Sequence, residues 1–217
     1  MSQTTGFILS YVFVFSVIII ATVLQKLLRL TPDFSRKIIH IGVGNWAFVA
    51  LYCFSDWYIA IIPPLSFVLI NFLSYRYSIF KAMELDDKNP GTIYYAISLT
   101  ILTGIVFYTR NILPYAGIVT MTWGDGMAAV IGVRYPLKTF RSGKSFGGLL
   151  AFIFFTALAT GIYLYLFSSY SIAKSIALIS FFALIGALLE IKTPKRLDNL
   201  SVPLILGLFA WLIETAI

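Results

Sequence analysis

Long apolar runs alternate along this chain with short clusters of charge, glycine and proline. Eight such runs stand out, at about 7–28, 38–53, 57–75, 92–109, 112–133, 147–168, 172–189 and 201–217. A helix needs about 20 apolar residues to cross the hydrocarbon of a bilayer. The pattern therefore predicts an all-α, polytopic transmembrane bundle of about eight spans. Residues 1–217 would form a single integral membrane domain with no separate soluble unit. The second run is short for a full crossing. The first lacks a basic leader and a small-residue cleavage site, so Gly6–Leu28 reads as a retained span.

Composition agrees with this. The chain is 59% hydrophobic and 12% charged, with a mean hydropathy of +0.91, whereas soluble domains carry roughly 25% charge. The net charge of +7 then reads as topology and lipid contact, not nucleic-acid binding. The single cysteine, Cys53, cannot form an internal disulfide. Fourteen of the sixteen Lys and Arg residues fall in alternate loops: after the first, third, fifth and seventh runs. The remaining loops hold only Arg110 and Lys174. By the positive-inside rule the four basic loops face the cytoplasm and both termini lie outside.

The polar anomalies share that side. Arg36, Lys37 and His40 open the second run. Asn89-Pro90-Gly91-Thr92 opens the fourth, and Asp125 lies in the inner half of the fifth. Lys144-Ser145 precedes the sixth, Glu190 ends the seventh, and Asp198-Asn199 precede the eighth. Such a gathering predicts a polar site at the cytoplasmic membrane surface.

Asp125, between Gly124 and Gly126, is the leading candidate. An ionisable group in a lipid-embedded segment is costly and implies a task. The flanking glycines allow close approach of a ligand or a break in the helix. A carboxylate is the hard oxygen ligand that Mg²⁺ takes when it also holds nucleotide phosphates; a basic partner neutralising Asp125 for packing alone is the plain alternative. Glu190 and Asp198 could complete a site for one or two ions, or balance Lys192, Lys195 and Arg196. The loop carrying Arg134, Lys138, Arg141 and Lys144 could bind a triphosphate or simply touch anionic lipid. Lys144-Ser145 is not the end of a Walker loop, because Lys138 stands where glycine is required and the preceding run is helical. The only histidine, His40, excludes a multi-histidine zinc site. It shares a helical face with Arg36 or Lys37 and could accept a proton from an alcohol. Glu84, Asp86 and Asp87 read as solvated loop.

These residues resemble the ordered motifs of the polyprenol kinase family, which includes dolichol, phytol and farnesol kinases and the CTP-dependent diacylglycerol kinase. The carriers are Arg36-Lys37-Ile38-Ile39-His40-Ile41-Gly42, Pro90-Gly91-Thr92-Ile93-Tyr94-Tyr95, Gly124-Asp125-Gly126-Met127-Ala128-Ala129 with Gly132, Lys144-Ser145, Glu190, and Asp198-Asn199. They span residues 36–203. The resemblance implies transfer of the γ-phosphoryl group of CTP to a membrane-dissolved lipid alcohol such as phytol, farnesol or dolichol, with Mg²⁺ or a similar ion. It implies metal ligation by Asp125, with Glu190 and Asp198 as further ligands. It implies nucleotide binding by Arg36, Lys37, Thr92, Arg134, Lys138, Lys144, Ser145 and Asn199. Asp125, His40 and Lys144 would serve catalysis, with the base either Asp125 or His40. Two positions depart from the family pattern: Pro136 stands for a glycine, and Gly147 for a glutamate. Phosphatidate cytidylyltransferases look similar around the aspartate, but carry a later histidine-bearing signature that this chain lacks. A small transporter would place polar groups near the bilayer midplane, often in inverted repeats, and none is visible.

Overall fold

The computed structural model describes residues 2–77, 79, 90–140 and 142–216, and is helical with no strand among them. Helix α1 spans Gln3–Leu27, α2 Pro32–Gly44, α3 Trp46–Cys53, α4 Trp57–Ala60, α5 Ile62–Tyr77 and α6 Gly91–Thr109. A composite helix follows: α7 over Tyr115–Val119, a π-helical turn over Thr120–Asp125, and α8 over Gly126–Arg134. Then come α9 over Phe146–Phe167, α10 over Ile172–Lys192 and α11 over Asp198–Ala216. Asn89, Arg141, Glu84, Asp86 and Asp87 lie outside the described residues.

Seven helices among the described residues are long and apolar enough to cross a membrane. The missing eighth is the short second run, which folds as two helices, α2 and α3, broken at Asn45. The Asn45 side chain explains the break: its Nδ2 donates to Ile41 O at 2.7 Å, and its Oδ1 accepts from Trp123 Nε1 at 3.1 Å. The pair still makes one traverse. Gln3 Nε2, at the start of α1, donates to Asp56 Oδ2 at 2.8 Å, so the chain leaving α3 has returned to the level where α1 began.

Helix starts follow local chemistry. Ser2, Thr31, Ser145 and Ser171 each accept a hydrogen bond from a backbone N–H in the first turn of the helix they precede, which satisfies a donor with no intrahelical partner. Pro32 follows Thr31, where a missing N–H costs nothing.

The composite helix is the most enclosed of the seven long ones, with Tyr115, Ile118 and Met121 fully buried in one core with Tyr163 of α9, Phe182 of α10 and Leu206 of α11. Large apolar side chains such as Ile19, Leu69, Phe154, Leu184 and Phe209 point outward, as expected where lipid is the solvent.

The polar links between helices sort into two levels. At one end, Lys174 Nζ pairs with Glu214 Oε2 at 2.9 Å, and Tyr163 OH donates to Ile112 O at 2.6 Å. At the other, Ser35 of α2 reaches Ala21 O of α1, Asn71 Nδ2 of α5 donates to Thr92 O of α6 at 3.1 Å, and Ser145 Oγ reaches Gly132 O. The second end carries the basic loops and the candidate site.

Candidate active site

Two ion-pair systems meet at that end, drawn from five parts of the chain. In the first, Lys37 Nζ of α2 lies 2.6 Å from Asp125 Oδ2. His40, one turn further along α2, puts Nε2 3.1 Å from Met121 O and 3.7 Å from the same Asp125 oxygen. A carbonyl can only accept, so the Met121 bond places the proton on Nε2 and leaves Nδ1 as the basic nitrogen. The His40 ring also leans on Tyr95, with centroids 4.5 Å apart. Tyr95 OH in turn lies 2.5 Å from Thr122 Oγ1.

Asp125 is the last residue of the π-helical turn. Such turns insert one residue into a helix and are frequent at functional sites. The sequence suggested that Gly124 and Gly126 leave room for a ligand or a break. Instead the helix widens without breaking, and the glycines admit neighbouring helices. A Cβ at Gly124 would overlap the Thr156 hydroxyl of α9, and one at Gly126 would overlap Ile41 of α2.

In the second system, Lys144 Nζ lies 2.7 Å from Glu190 Oε1 and 3.3 Å from Asp198 Oδ2, and donates to the Glu190 carbonyl. An ammonium has three N–H bonds, and these three acceptors use them all. Asp198 is held from its other side: Oδ1 accepts from the backbone N–H of Arg196 at 2.9 Å and of Asn199 at 3.0 Å. That leaves Oδ2 turned toward Lys144. Helices α10 and α11 reach further than the hydropathy suggested, so Glu190 and Asp198 both sit in helical turns facing each other.

The two systems touch. One oxygen each from Asp125, Glu190 and Asp198 lie within 4.8 Å of one another, and all three residues are buried. Three carboxylates thus face two lysines. The surplus negative charge, the close oxygens and the hard-donor chemistry all fit a divalent cation such as Mg²⁺.

Beside the cluster is an open cavity lined by Arg36, Lys37, His40, Thr92, Tyr95 and Asn199, among others. Asn199 is positioned by a backbone irregularity. Pro203 lies inside α11 and has no N–H to offer the Asn199 carbonyl one turn back. Ser98 Oγ of α6 takes that place, at 3.0 Å from Asn199 O.

Other expected site residues are placed differently. Arg134 and Lys138 are exposed and make no ion pair among the described residues. Ser145 spends its hydroxyl on the α9 cap, accepting from Gly148 N at 3.1 Å. Sequence reasoning passed over Asn71, Thr122 and Ser98. Asn71 had a signal, being a lone carboxamide inside an apolar span; the two hydroxyl residues had none.

The sequence is 32% identical to a phytol kinase of Synechocystis over 203 residues, covering 90% of this chain and 86% of that protein. The chain belongs to the polyprenol kinase family. A probable chloroplastic phytol kinase of rice is 25% identical, with 83% of this chain and 64% of the relative covered. The chain therefore spans just under two thirds of that plant protein. An uncharacterised protein of Methanocaldococcus jannaschii is 30% identical over 79% of this chain and 89% of its own length. No family model matches, and no solved structure matches.

Membership gives the Gly147 departure a physical setting. A Cβ at Gly147 would overlap the Tyr135 carbonyl, and Gly147 N donates to Pro136 O at 3.2 Å. The Tyr135–Pro136 backbone fills the space that a glutamate side chain would need in this chain.

Proposed function

We propose that this protein is a membrane-embedded kinase that transfers the γ-phosphoryl group of a nucleoside triphosphate, CTP in our reading, to the hydroxyl of an isoprenoid alcohol. The observation that carries the reading is the convergence of Asp125, Glu190 and Asp198 with Lys37 and Lys144 at one end of the bundle. The relatives named phytol kinases support the alcohol class.

Asp125, Glu190 and Asp198 would hold Mg²⁺. Such an ion would supply positive charge to offset the phosphates' negative charge during transfer. Lys37 and Lys144 are the cations nearest the carboxylates and would hold the phosphates. Arg36, Thr92 and Asn199 line the adjoining cavity and would hold the nucleotide. His40 is among the residues lining that cavity and Asp125 is not. We therefore assign the alcohol proton to His40 Nδ1 and metal ligation to Asp125. Phosphoryl transfer asks mainly for positioning and charge neutralisation, which this set of groups supplies. The charge pattern supports a cytoplasm-facing site, with both termini on the opposite side.

The test uses purified protein in detergent with γ-labelled CTP, ATP or UTP and a mixture of phytol, farnesol, dolichol and diacylglycerol. Labelled isoprenoid phosphate is the expected product. A CDP-lipid would mean cytidylyl transfer, and that product, or none with any donor, would overturn the kinase reading.

A further inference from the structure

The chain between α8 and α9 folds as a short hairpin whose first arm the site leaves unused. Phe140 N donates to Lys144 O at 2.8 Å and Phe146 N to Lys138 O at 2.7 Å, which pairs the two arms. The first arm opens on an unusual turn. Lys138 N donates to Pro136 O at 2.7 Å across Leu137, whose φ is +56°. A three-residue turn with positive φ at its centre is rare and strained, the more so for a bulky residue. Such strain persists only where the surroundings enforce it; here Gly147 N of α9 also donates to Pro136 O, at 3.2 Å. Yet packing makes no use of the side chain, for Leu137 is 74% exposed. Val133 and Tyr135 are 85% and 62% exposed. Arg134 and Lys138, interleaved with these apolar residues, are exposed too, and no carboxylate pairs with either among the described residues. A third exposed cation stands at the hairpin tip: a Cβ at Gly143 would lie 3.6 Å from Lys195 Nζ.

We propose that this arm is a docking surface for anionic lipid headgroups of the leaflet that borders the site, with Leu137 as an apolar wedge among them. Its place in the fold fits. The hairpin joins the ends of α8 and α9 at the same end of the bundle as Lys144, Glu190 and Asp198, where the helices leave the hydrocarbon. At that level a tyrosine keeps its ring toward lipid and its hydroxyl toward water. Arginine and lysine lay their stems on apolar surface and extend their charges to the phosphates. Charge selects the occupant. An anionic leaflet attracts each nearby Lys or Arg, whereas a zwitterionic one carries no net charge to do so. Three exposed cations around one outward-facing apolar turn complement the anionic surface. A nucleotide shares the phosphate chemistry but gives no role to the outward Val133, Tyr135 and Leu137. Docking of this kind needs no catalysis, so it stands apart from the kinase reading.

The first test requires no turnover. The full-length chain with Leu137→Cys in a Cys53→Ala background carries a fluorophore and is reconstituted in phosphatidylcholine vesicles. Phosphatidylglycerol or phosphatidylcholine, spin-labelled high on the acyl chain, is titrated in as quencher. Quenching is expected at a lower fraction of the phosphatidylglycerol. Arg134→Gln or Lys138→Gln should each raise the fraction for half-maximal quenching about fivefold, the size of one cation's attraction to a charged leaflet, and added salt should raise it too. A fluorophore that neither lipid quenches would place the arm in water, and equal quenching by both lipids would remove the charge recognition; either result overturns the proposal. The second test uses detergent without anionic lipid. Leu137→Gly adopts a positive φ at no steric cost and should melt at or above wild type. A lower melting temperature would give Leu137 a packing role and overturn the wedge. Arg134→Gln combined with Lys138→Gln should leave the CTP concentration for half-maximal thermal protection unchanged. A rise would assign the two cations to the nucleotide and overturn lipid docking.

Discussion

Lys37 and Asp125 are 88 residues apart in sequence and 2.6 Å apart in the fold. The pair joins the start of the broken helix α2–α3 to the π-helical turn of the central helix. It also keeps Asp125 neutralised where lipid and protein exclude water. Removing one partner of a buried pair leaves an unpaired charge and costs about 3–5 kcal/mol. Lys37→Met should therefore lower thermal stability in detergent sharply, and Asp125→Asn in the same chain should restore much of it. Additive losses in the double variant would mean the pair contributes no coupling.

Asp125→Asn alone should abolish phosphorylation while the protein still inserts and purifies as a single species. Glu190→Gln and Asp198→Asn should shift the Mg²⁺ concentration for half-maximal activity upward by more than the roughly 10–100-fold typical of losing an outer-shell partner. Titration of activity against Mg²⁺ at saturating CTP measures this. Unchanged Mg²⁺ dependence in both, or full activity in Asp125→Asn, would remove the carboxylates from metal binding.

His40→Gln can place an amide N–H at the Nε2 position against Met121 O and removes the basic nitrogen. With nucleotide binding intact, kcat should fall by about 10²–10⁴-fold, the usual contribution of a general base. A kcat within a few-fold of wild type would move the base to another residue.

Ser98 and Pro203 act through one carbonyl. Ser98→Ala should leave Asn199 O without its donor and cost about 1–3 kcal/mol, the penalty for an unsatisfied buried polar group. In a Pro203→Ala background the helix supplies its own N–H, so Ser98→Ala should then be close to neutral. Thermal melts of the four proteins close the cycle; an equal cost in both backgrounds would break the link.

Gly147→Glu would restore the family's usual side chain, yet the Tyr135 carbonyl occupies the space. We expect loss of monodisperse protein on size exclusion, with no gain in activity. A well-folded, more active variant would show that the 135–136 backbone yields.

The sequence alone determined the helical membrane architecture, because only long apolar helices satisfy buried backbone in lipid. It placed Lys37, His40, Asp125, Lys144, Glu190 and Asp198 on one side, because charge near a bilayer is confined to helix ends and loops. It also marked the second run as too short, and Asn45 is where that helix breaks. The tertiary structure alone decided the pairings: Lys37 with Asp125, and Lys144 with Glu190 and Asp198. Those depend on how helices rotate and register, which side-chain packing across many contacts settles and no local pattern encodes. For the same reason Gly124 and Gly126 turned out to serve helix contact, Ser145 a helix cap, and Ser98 the Asn199 carbonyl left free by Pro203 one turn on. The hydroxyl and glycine residues carry no periodicity of their own, so their roles exist only once neighbouring helices are in place.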